Sequence, residues 1–376
     1  TLNKQKQVDD YPYGGGHGAV MQADPLYQCW QHLCDLEGER VHTIYLSPAG
    51  KVFRQADAKR LQQDYNKLIL VCGHYEGIDQ RFIDECVDEE ISLGDFVLTG
   101  GEIPAMAVAD AVCRLVPGVL SDPECFTDES HWDGLLEYPQ YSRPEVWHDR
   151  RVPPILLSGH HANIAKWRRK QAILRTRDRR PDMYERLDLS SKADRKLLKE
   201  IADEEAAQQA VDHLYGHGHR RIAALICRPD DQSISQLRYQ GYCKALSSHG
   251  IPLDPELVMC AGSFDIRDAY DAVCEKLRQG AEFTALFAIA DSMAIGAMRA
   301  LRDEGRAVPQ DCSVIAIDGL ELSAYIEPPL TTLCQPMEEM GQRSAQILLG
   351  LIHGHGAHCC EVLPTQLRQG GSVQDI

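Results

Sequence analysis

Three glycine-rich segments hold most of the residues whose types and spacing could do chemistry. Residues 11–21 read YPYGGGHGAVM, residues 68–81 read LILVCGHYEGIDQR and residues 91–106 read ISLGDFVLTGGEIPAM. Glycine lets a backbone turn sharply or approach a bound molecule with no Cβ in the way. Two of the three segments directly follow apolar, strand-like runs, and α/β sheets bind their ligands at strand ends. The expectation is therefore a small-molecule site. No G-x-G-x-x-G or Walker-type loop occurs, so a conventional dinucleotide or P-loop site is not supported.

A second concentration is electrostatic. The chain carries a net charge of −17, yet residues 166–199 hold thirteen Lys/Arg against five Asp/Glu. That excess is either the footprint of a polyanion or a solvated helical face, and charge alone does not choose between them. A third is the run HGHGAHCC, with His353, His355, His358, Cys359 and Cys360 close together. Its spacing fits no standard zinc site, so a polar surface loop and no metal are expected.

The elements that must position these residues can be read from pattern. At 376 residues the chain has room for two or three domains, and its 44% hydrophobic and 25% charged content is that of a globular protein. No apolar run approaches the ~18 residues of a membrane span, and TLNKQKQVDD has no signal-like apolar region. The chain opens on Thr1, which suggests a fragment or a processed chain. Fourteen cysteines in a long chain without an export signal, among them Cys29, Cys72, Cys86, Cys113, Cys227, Cys243, Cys274 and Cys312 set singly, read as buried thiols in a reducing cytoplasm rather than as a disulfide scaffold.

The runs VHTIYLS, NKLILVCG and EEISLGDFVLTGG alternate with helical stretches over residues 1–120, which argues for a mainly parallel α/β sheet. SDPECFTDESHW is acidic and short of aliphatics and reads as a linker or mobile loop. Helical pattern follows to residue 201, broken at Pro181. Near Ala202 the register changes, and strand and helix patterns alternate again through 376. The expected domains are thus 1–120, 121–201 and 202–376, with no internal repeat.

The motifs YPYGGGHG, IYLSPAG, LVCGHYEGIDQR, EISLGDFVLTGGEIPAM, GLLEYPQYSRPEVW, VPPILLSGHHANIAKWRRKQA and RTRDRRPDM, in this order, resemble the tRNA (guanine-N1)-methyltransferases of the TrmD family. The resemblance runs over residues 1–201. It implies a trefoil-knotted α/β fold of the SPOUT class with a small helical domain, S-adenosylmethionine as methyl donor, an obligate homodimer and tRNA as substrate, methylated at the guanosine just 3′ of the anticodon. Carried over by position, it implies a cofactor pocket of Tyr45, Leu46, Ser47 and Pro48, then Gly73, Tyr75, Glu76 and Gly77, then Ser92, Leu93, Gly94, Phe96, Val97, Leu98, Gly100 and Gly101. Arg114 falls on the family's arginine. Glu129 falls where the family has a catalytic aspartate, a departure, with Asp128 one residue earlier as the alternative. Lys166, Arg168, Arg169, Arg175 and Arg177 are suited to tRNA phosphates, as are Arg179 and Arg180 unless they salt-bridge within the domain. Asp9 resembles the family's contact to the base preceding the target. His160 and His161 read as ordinary polar loop residues. The family usually has a strand and helix before the position of Thr1.

Residues 202–376 resemble the effector-binding part of LacI/GalR-type regulators. The residues that carry it are HLYGHGHRRIAALIC, LRYQGYCKALSSHGIPLDPELV, FTALFAIADSMAIGAMRALRDEGRAVPQDCSVIAIDG and PPLTTLCQPMEEMGQRSAQILLGLI. This implies a partial periplasmic-binding-protein-like α/β domain, with Arg238, Phe264, Asp291 and Asp318 at the positions of contacts to a sugar or purine-like effector. Ala290 stands where relatives commonly carry Asn. The helix-turn-helix of that family does not appear, so DNA binding is not expected. The competing functional reading is a ligand-sensing module joined to an inactive methylase remnant.

Overall fold

The computed structural model describes residues 4, 6–122, 124–148, 150–227, 233–353 and 362–376. The chain forms two compact units, Thr1–Leu187 and Asp188–Ile376.

The first unit is built on three parallel strands in the order Leu68–Cys72, His42–Val52, Glu89–Ser92. Alternation along the central strand sends Ile44 and Leu46 to one face and Tyr45 to the other. Ile44 and Leu46 pack with Ala58 and Leu61 of helix Gln55–Asp64 and with Val108 and Val112 of helix Glu102–Cys113. Tyr45 packs with Phe82 and Cys86 of helix Gln80–Cys86 and with Leu26 and Trp30 of helix Ala23–Glu37. The register slips on the central strand: Leu46 and Lys51 both pair with Ile91, so residues 47–50 bulge from the ladder. Gly50 permits this, because a Cβ there would lie 2.5 Å from the Glu90 carbonyl carbon.

The strand expected over EEISLGDFVLTGG stops at Ser92, whose Oγ turns back to bond the Gly94 backbone. Within SDPECFTDESHW, Phe126 and Trp132 are anchored. Phe126 packs on Trp132 with ring centroids 5.0 Å apart, and Lys59 Nζ lies 3.4 Å from the Trp132 ring centroid and donates to its carbonyl. The basic segment forms helix His161–Arg179, followed after Arg180 by the short helix Pro181–Tyr184, the break expected at Pro181. Buried Thr176 joins this helix to the preceding loop by accepting from Leu136 N–H.

The second unit has a six-stranded sheet in the order Gln366–Arg368, Thr331–Cys334, Ser313–Asp318, Ala285–Ala288, Ile222–Cys227, Val258–Ala261, with only the first strand antiparallel. The central strands bury every residue but Asp318, as strands covered on both faces do. The register change expected near Ala202 falls inside one continuous helix, Lys192–Gly216, whose Leu197, Leu198, Ile201, Ala206, Ala210 and Leu214 are all buried. Eleven cysteines are free thiols; of these Cys34, Cys86, Cys227, Cys274 and Cys312 are buried, but Cys29 and Cys113 are exposed, against the expectation of burial. No helix among the described residues is long and apolar enough to cross a membrane.

Helix Ile234–Ser248 crosses helix Lys192–Gly216 at Gly241, where a Cβ would strike the Glu204 carbonyl and lie 2.7 Å from the Ala207 Cβ. Gly241→Ala is expected to destabilise the second unit by about 1–3 kcal/mol. Calorimetry would register a lower melting transition, and an unchanged one would show that the helices separate freely.

Candidate active site

The bulge at 47–50, the turn after Leu68–Cys72 and the irregular stretch after Glu89–Ser92 meet around one cavity of ≈ 380 Å³. All three walls come from the carboxyl ends of parallel strands, where α/β sheets place their ligands. Tyr45, Leu46, Ser47 and Pro48 supply one wall, Gly73, Tyr75, Glu76 and Gly77 a second, and Ser92, Leu93, Phe96, Val97, Leu98, Gly100 and Gly101 the third. Of the pocket residues expected from the sequence, Gly94 alone is not in the lining; it forms the turn behind Phe96. Ala49, His74, Ile91, Thr99 and Pro104 also line the cavity and were not foreseen. Their signal was present, since each lies inside or beside a quoted motif.

The walls are stitched by backbone. Gly101 N–H donates to the Gly73 carbonyl at 3.0 Å, and His74 bridges Gly100. A Cβ on Gly101 would lie 2.6 Å from Cys72 Cα. Tyr45 is pushed up from its ordinary pKa by burial and stays a neutral phenol behind Gly73. Burial also raises the Cys72 thiol, which makes it a poor nucleophile. Phe96 and Val97 are 55% and 80% exposed and form an open lip.

Away from this cavity, Arg114 and Glu129 form a bidentate pair, Nη1 to Oε2 at 2.5 Å and Nη2 to Oε1 at 2.9 Å. Helix Glu102–Cys113 ends at Arg114, and the Lys59–Trp132 anchor holds the loop that carries Glu129. The guanidinium hydrogen bond holds the Glu129 pKa below the ordinary carboxylate value. Neither residue lines the ≈ 380 Å³ cavity. Instead Glu129 and Asp128 line a cavity of ≈ 250 Å³ with Asp133, Arg168 and Arg169. Arg168 stacks over Tyr138 and Arg169 pairs with Asp133 at 2.8 Å. Arg175 and Arg179 line an adjoining cavity with Ser130 and Glu137. Arg177 bonds Asp178, Arg180 chelates Asp182, and Lys166 lines neither cavity. Asp9 sits in the short ladder that pairs Asp9–Asp10 with Val20–Met21. His160 and His161 are exposed at the start of the basic helix.

In the second unit Arg238 and Asp318 come together at 3.1 Å, with Asp203 bonding the same guanidinium. Asp291 is wholly buried and accepts from Leu320 N–H, Ser323 Oγ and Thr332 Oγ1, so its carboxylate serves the fold and faces no cleft. Phe264 is exposed. Of the four positions expected to share an effector site, Arg238 and Asp318 are brought into contact. Of the His/Cys run only His353 is described; His355, His358, Cys359 and Cys360 lie outside the described residues.

Residues 1–186 match the family model for tRNA (Guanine-1)-methyltransferase TrmD. Proteins named tRNA (guanine-N(1)-)-methyltransferase align over about half of the chain. That of Ruminiclostridium cellulolyticum is 55% identical over 187 residues, 50% of this chain and 80% of the relative. That of Clostridium perfringens is 56% identical over 199 residues, 53% and 82%, and that of Clostridium acetobutylicum 52% over 200 residues, 53% and 81%. The chain belongs to the tRNA (guanine-N1)-methyltransferase family. Its methyltransferase part is the unit that carries the strand-end cavity and the Arg114–Glu129 pair. Residues 211–373 match a periplasmic binding protein-like domain, so the methyltransferase is joined to a second α/β domain of a different family.

Because the Arg114 bond lowers the Glu129 pKa, the stability it adds is present above the ordinary carboxylate range and is lost as pH falls through the folded value. Arg114→Met should move the Glu129 titration up toward the ordinary carboxylate value, read by carbon-detected NMR of the side-chain carboxyl. No movement would mean that the pair does not form in solution.

Proposed function

We propose that this chain transfers a methyl group from S-adenosylmethionine to N1 of the guanosine 3′ to the anticodon, position 37, in tRNA. The observation that carries the reading is the strand-end cavity, built from the bulge at 47–50 and two of the glycine-rich segments, all within the residues that match the methyltransferase family model. Its residues suit the donor. Backbone N–H and C=O groups of the loops offer partners for an adenine edge, Leu46, Pro48, Leu93 and Leu98 offer apolar faces, and the volume lies in the range of small-molecule sites. When bound, the donor supplies an electrophilic methyl group. The knotted topology of the SPOUT class belongs to the same proposal, since a pocket of interlocked strand ends is preorganised.

Guanine N1 must lose a proton before its lone pair can take the methyl group, and negative charge then develops toward O6. Glu129, held anionic, accepts the N1 proton, while Arg114 donates to O6. The N1–H and O6 of guanine are adjacent on one edge, as are the carboxylate and guanidinium of the pair. Each side chain can therefore exchange one bond of the bidentate pair for one to the base. Adenine carries no N1 proton and no O6, so it meets neither demand. Glu129 is preferred to Asp128 as base because it is the carboxylate bonded to Arg114.

The pair and the cavity come together in a homodimer in which one protomer supplies each. Helix Glu102–Cys113 supports this, because Ile103, Met106, Ala107 and Cys113 are exposed on one stripe and Ile103 and Met106 are 55% and 64% exposed. A second copy is the cover that such a stripe fits. Lys166, Arg168, Arg169, Arg175 and Arg177 on helix His161–Arg179 contact phosphates of the anticodon arm, and Asp9 the preceding base. The enzyme works where its tRNA is, in the cytoplasm.

Labelled methyl transfer to a transcript with guanosine after the anticodon, and none to its adenosine-substituted counterpart, is the expected result. Glu129→Gln and Arg114→Ala should each lower the rate about 10²–10³-fold while leaving cofactor binding in equilibrium dialysis intact. Folded, cofactor-binding protein that transfers nothing would instead favour an inactive remnant.

A further inference from the structure

A short hairpin precedes the basic helix of the first unit. Val146–Trp147 pairs antiparallel with Arg150–Arg151, Val146 opposite Arg151 and Trp147 opposite Arg150. Val152 N–H donates to the Glu145 carbonyl at 2.9 Å and closes it. Residues directly opposite on such a ladder share a face, and successive residues alternate. Trp147 and Arg150 therefore stand side by side on one face, Val146 and Arg151 on the other. The indole is 63% exposed, and its ring contact is the edge-on one with neighbouring His148, centroids 4.4 Å apart. Burying a tryptophan is among the largest apolar gains a side chain offers, and the fold does not take it here. Arg143, Arg150 and Arg151 are exposed too, and among the described residues none of them has a side-chain hydrogen bond or ion pair. In sequence, residues 143–151 set three arginines against Glu145 and Asp149, in a chain whose net charge is −17.

The chain leading into the hairpin is moored on the basic helix. The ring centroids of Tyr141 and Trp167 are 6.3 Å apart, and Trp167 sits among Lys166, Arg168 and Arg169 on helix His161–Arg179. An exposed indole beside a guanidinium matches what an unpaired nucleotide presents, a π-face for the ring and a phosphate for the cation. We propose that the hairpin is an RNA contact, with one unstacked base of the tRNA on Trp147 and its neighbouring phosphates on Arg150 and Arg151. The proposal rests on the tRNA reading above and adds a stacking platform to the phosphate contacts of the helix. Stacking of this kind reads no base edge, so the hairpin adds affinity and leaves the choice of base to the site of methylation. Exposed tryptophan and arginine also mark protein interfaces. Nucleic acid is favoured here because the unit belongs to a tRNA-modifying family and the hairpin adjoins a helix rich in further cations.

The test uses the full chain and a labelled tRNA transcript with guanosine after the anticodon, binding being read by anisotropy and by intrinsic tryptophan fluorescence. Trp147→Ala should weaken binding roughly ten-fold, and Trp147→Phe, which keeps an aromatic face, by no more than about three-fold. Of the quenching that tRNA causes among the four tryptophans, the share of Trp147 should vanish in Trp147→Phe. Arg150→Gln/Arg151→Gln should lower the slope of log affinity against log salt by about one to two. Binding of S-adenosylmethionine in equilibrium dialysis should match the wild-type chain throughout, and circular dichroism checks the fold. Wild-type affinity in Trp147→Ala, equal loss in the Ala and Phe variants, or wild-type quenching in Trp147→Phe would each overturn the hairpin's role and leave the tRNA reading standing. A changed oligomeric state of Trp147→Ala in sedimentation would overturn it as well, since the hairpin would then meet a second copy. A wild-type chain that does not bind the transcript would overturn both.

Discussion

The cavity of the first unit exists because two backbones meet at a distance no side chain allows. Gly101 lies against Cys72 and Gly73, donating to the Gly73 carbonyl, and a Cβ would lie 2.6 Å from Cys72 Cα. The same contact sets the start of helix Glu102–Cys113 and so the position of Arg114 at its end. On the opposite side, Gly50 makes an equally close approach to Glu90 and lets residues 47–50 bulge over the cavity. The cavity and the position of Arg114 thus hang on two glycines whose value is the absence of a side chain rather than backbone freedom.

Electrostatics divides the first unit by distance. The strand-end cavity offers backbone groups and apolar walls, whereas charge is concentrated around Glu129, Arg168 and Arg169. The proposed sulfonium donor and RNA substrate make different demands, and separate walls can meet both. The Arg114–Glu129 pair is about a third exposed and screened by solvent, so it adds little stability, and the proposed role of base and electrophile is where its worth would lie.

Much of this was legible in residue order. The motif loops pointed to the pocket because their order carries the family resemblance and so its lining positions, and all but Gly94 of the expected lining residues meet there. Chemistry that depends on partners was less legible. Asp291 reads as a ligand contact, yet Ser323 and Thr332, far along the chain, consume its carboxylate. The acidic stretch before Trp132 reads as loose because the cation that pins it, Lys59, is 73 residues earlier in sequence. Continuity of helix Lys192–Gly216 through Ala202 was hidden because the family resemblance changes inside one uninterrupted apolar face.

The central claim is that one protomer's cavity works with another protomer's Arg114–Glu129 pair. Mixing inactive chains tests it most directly: Gly101→Val, which closes the cavity wall, with Glu129→Gln, which removes the base. Random re-association of equal amounts leaves half the dimers mixed, each with one intact site, so about a quarter of wild-type methyl transfer should return. Activity no greater than the sum of the two separate variants would contradict a shared site and place the pair and the cavity in one chain.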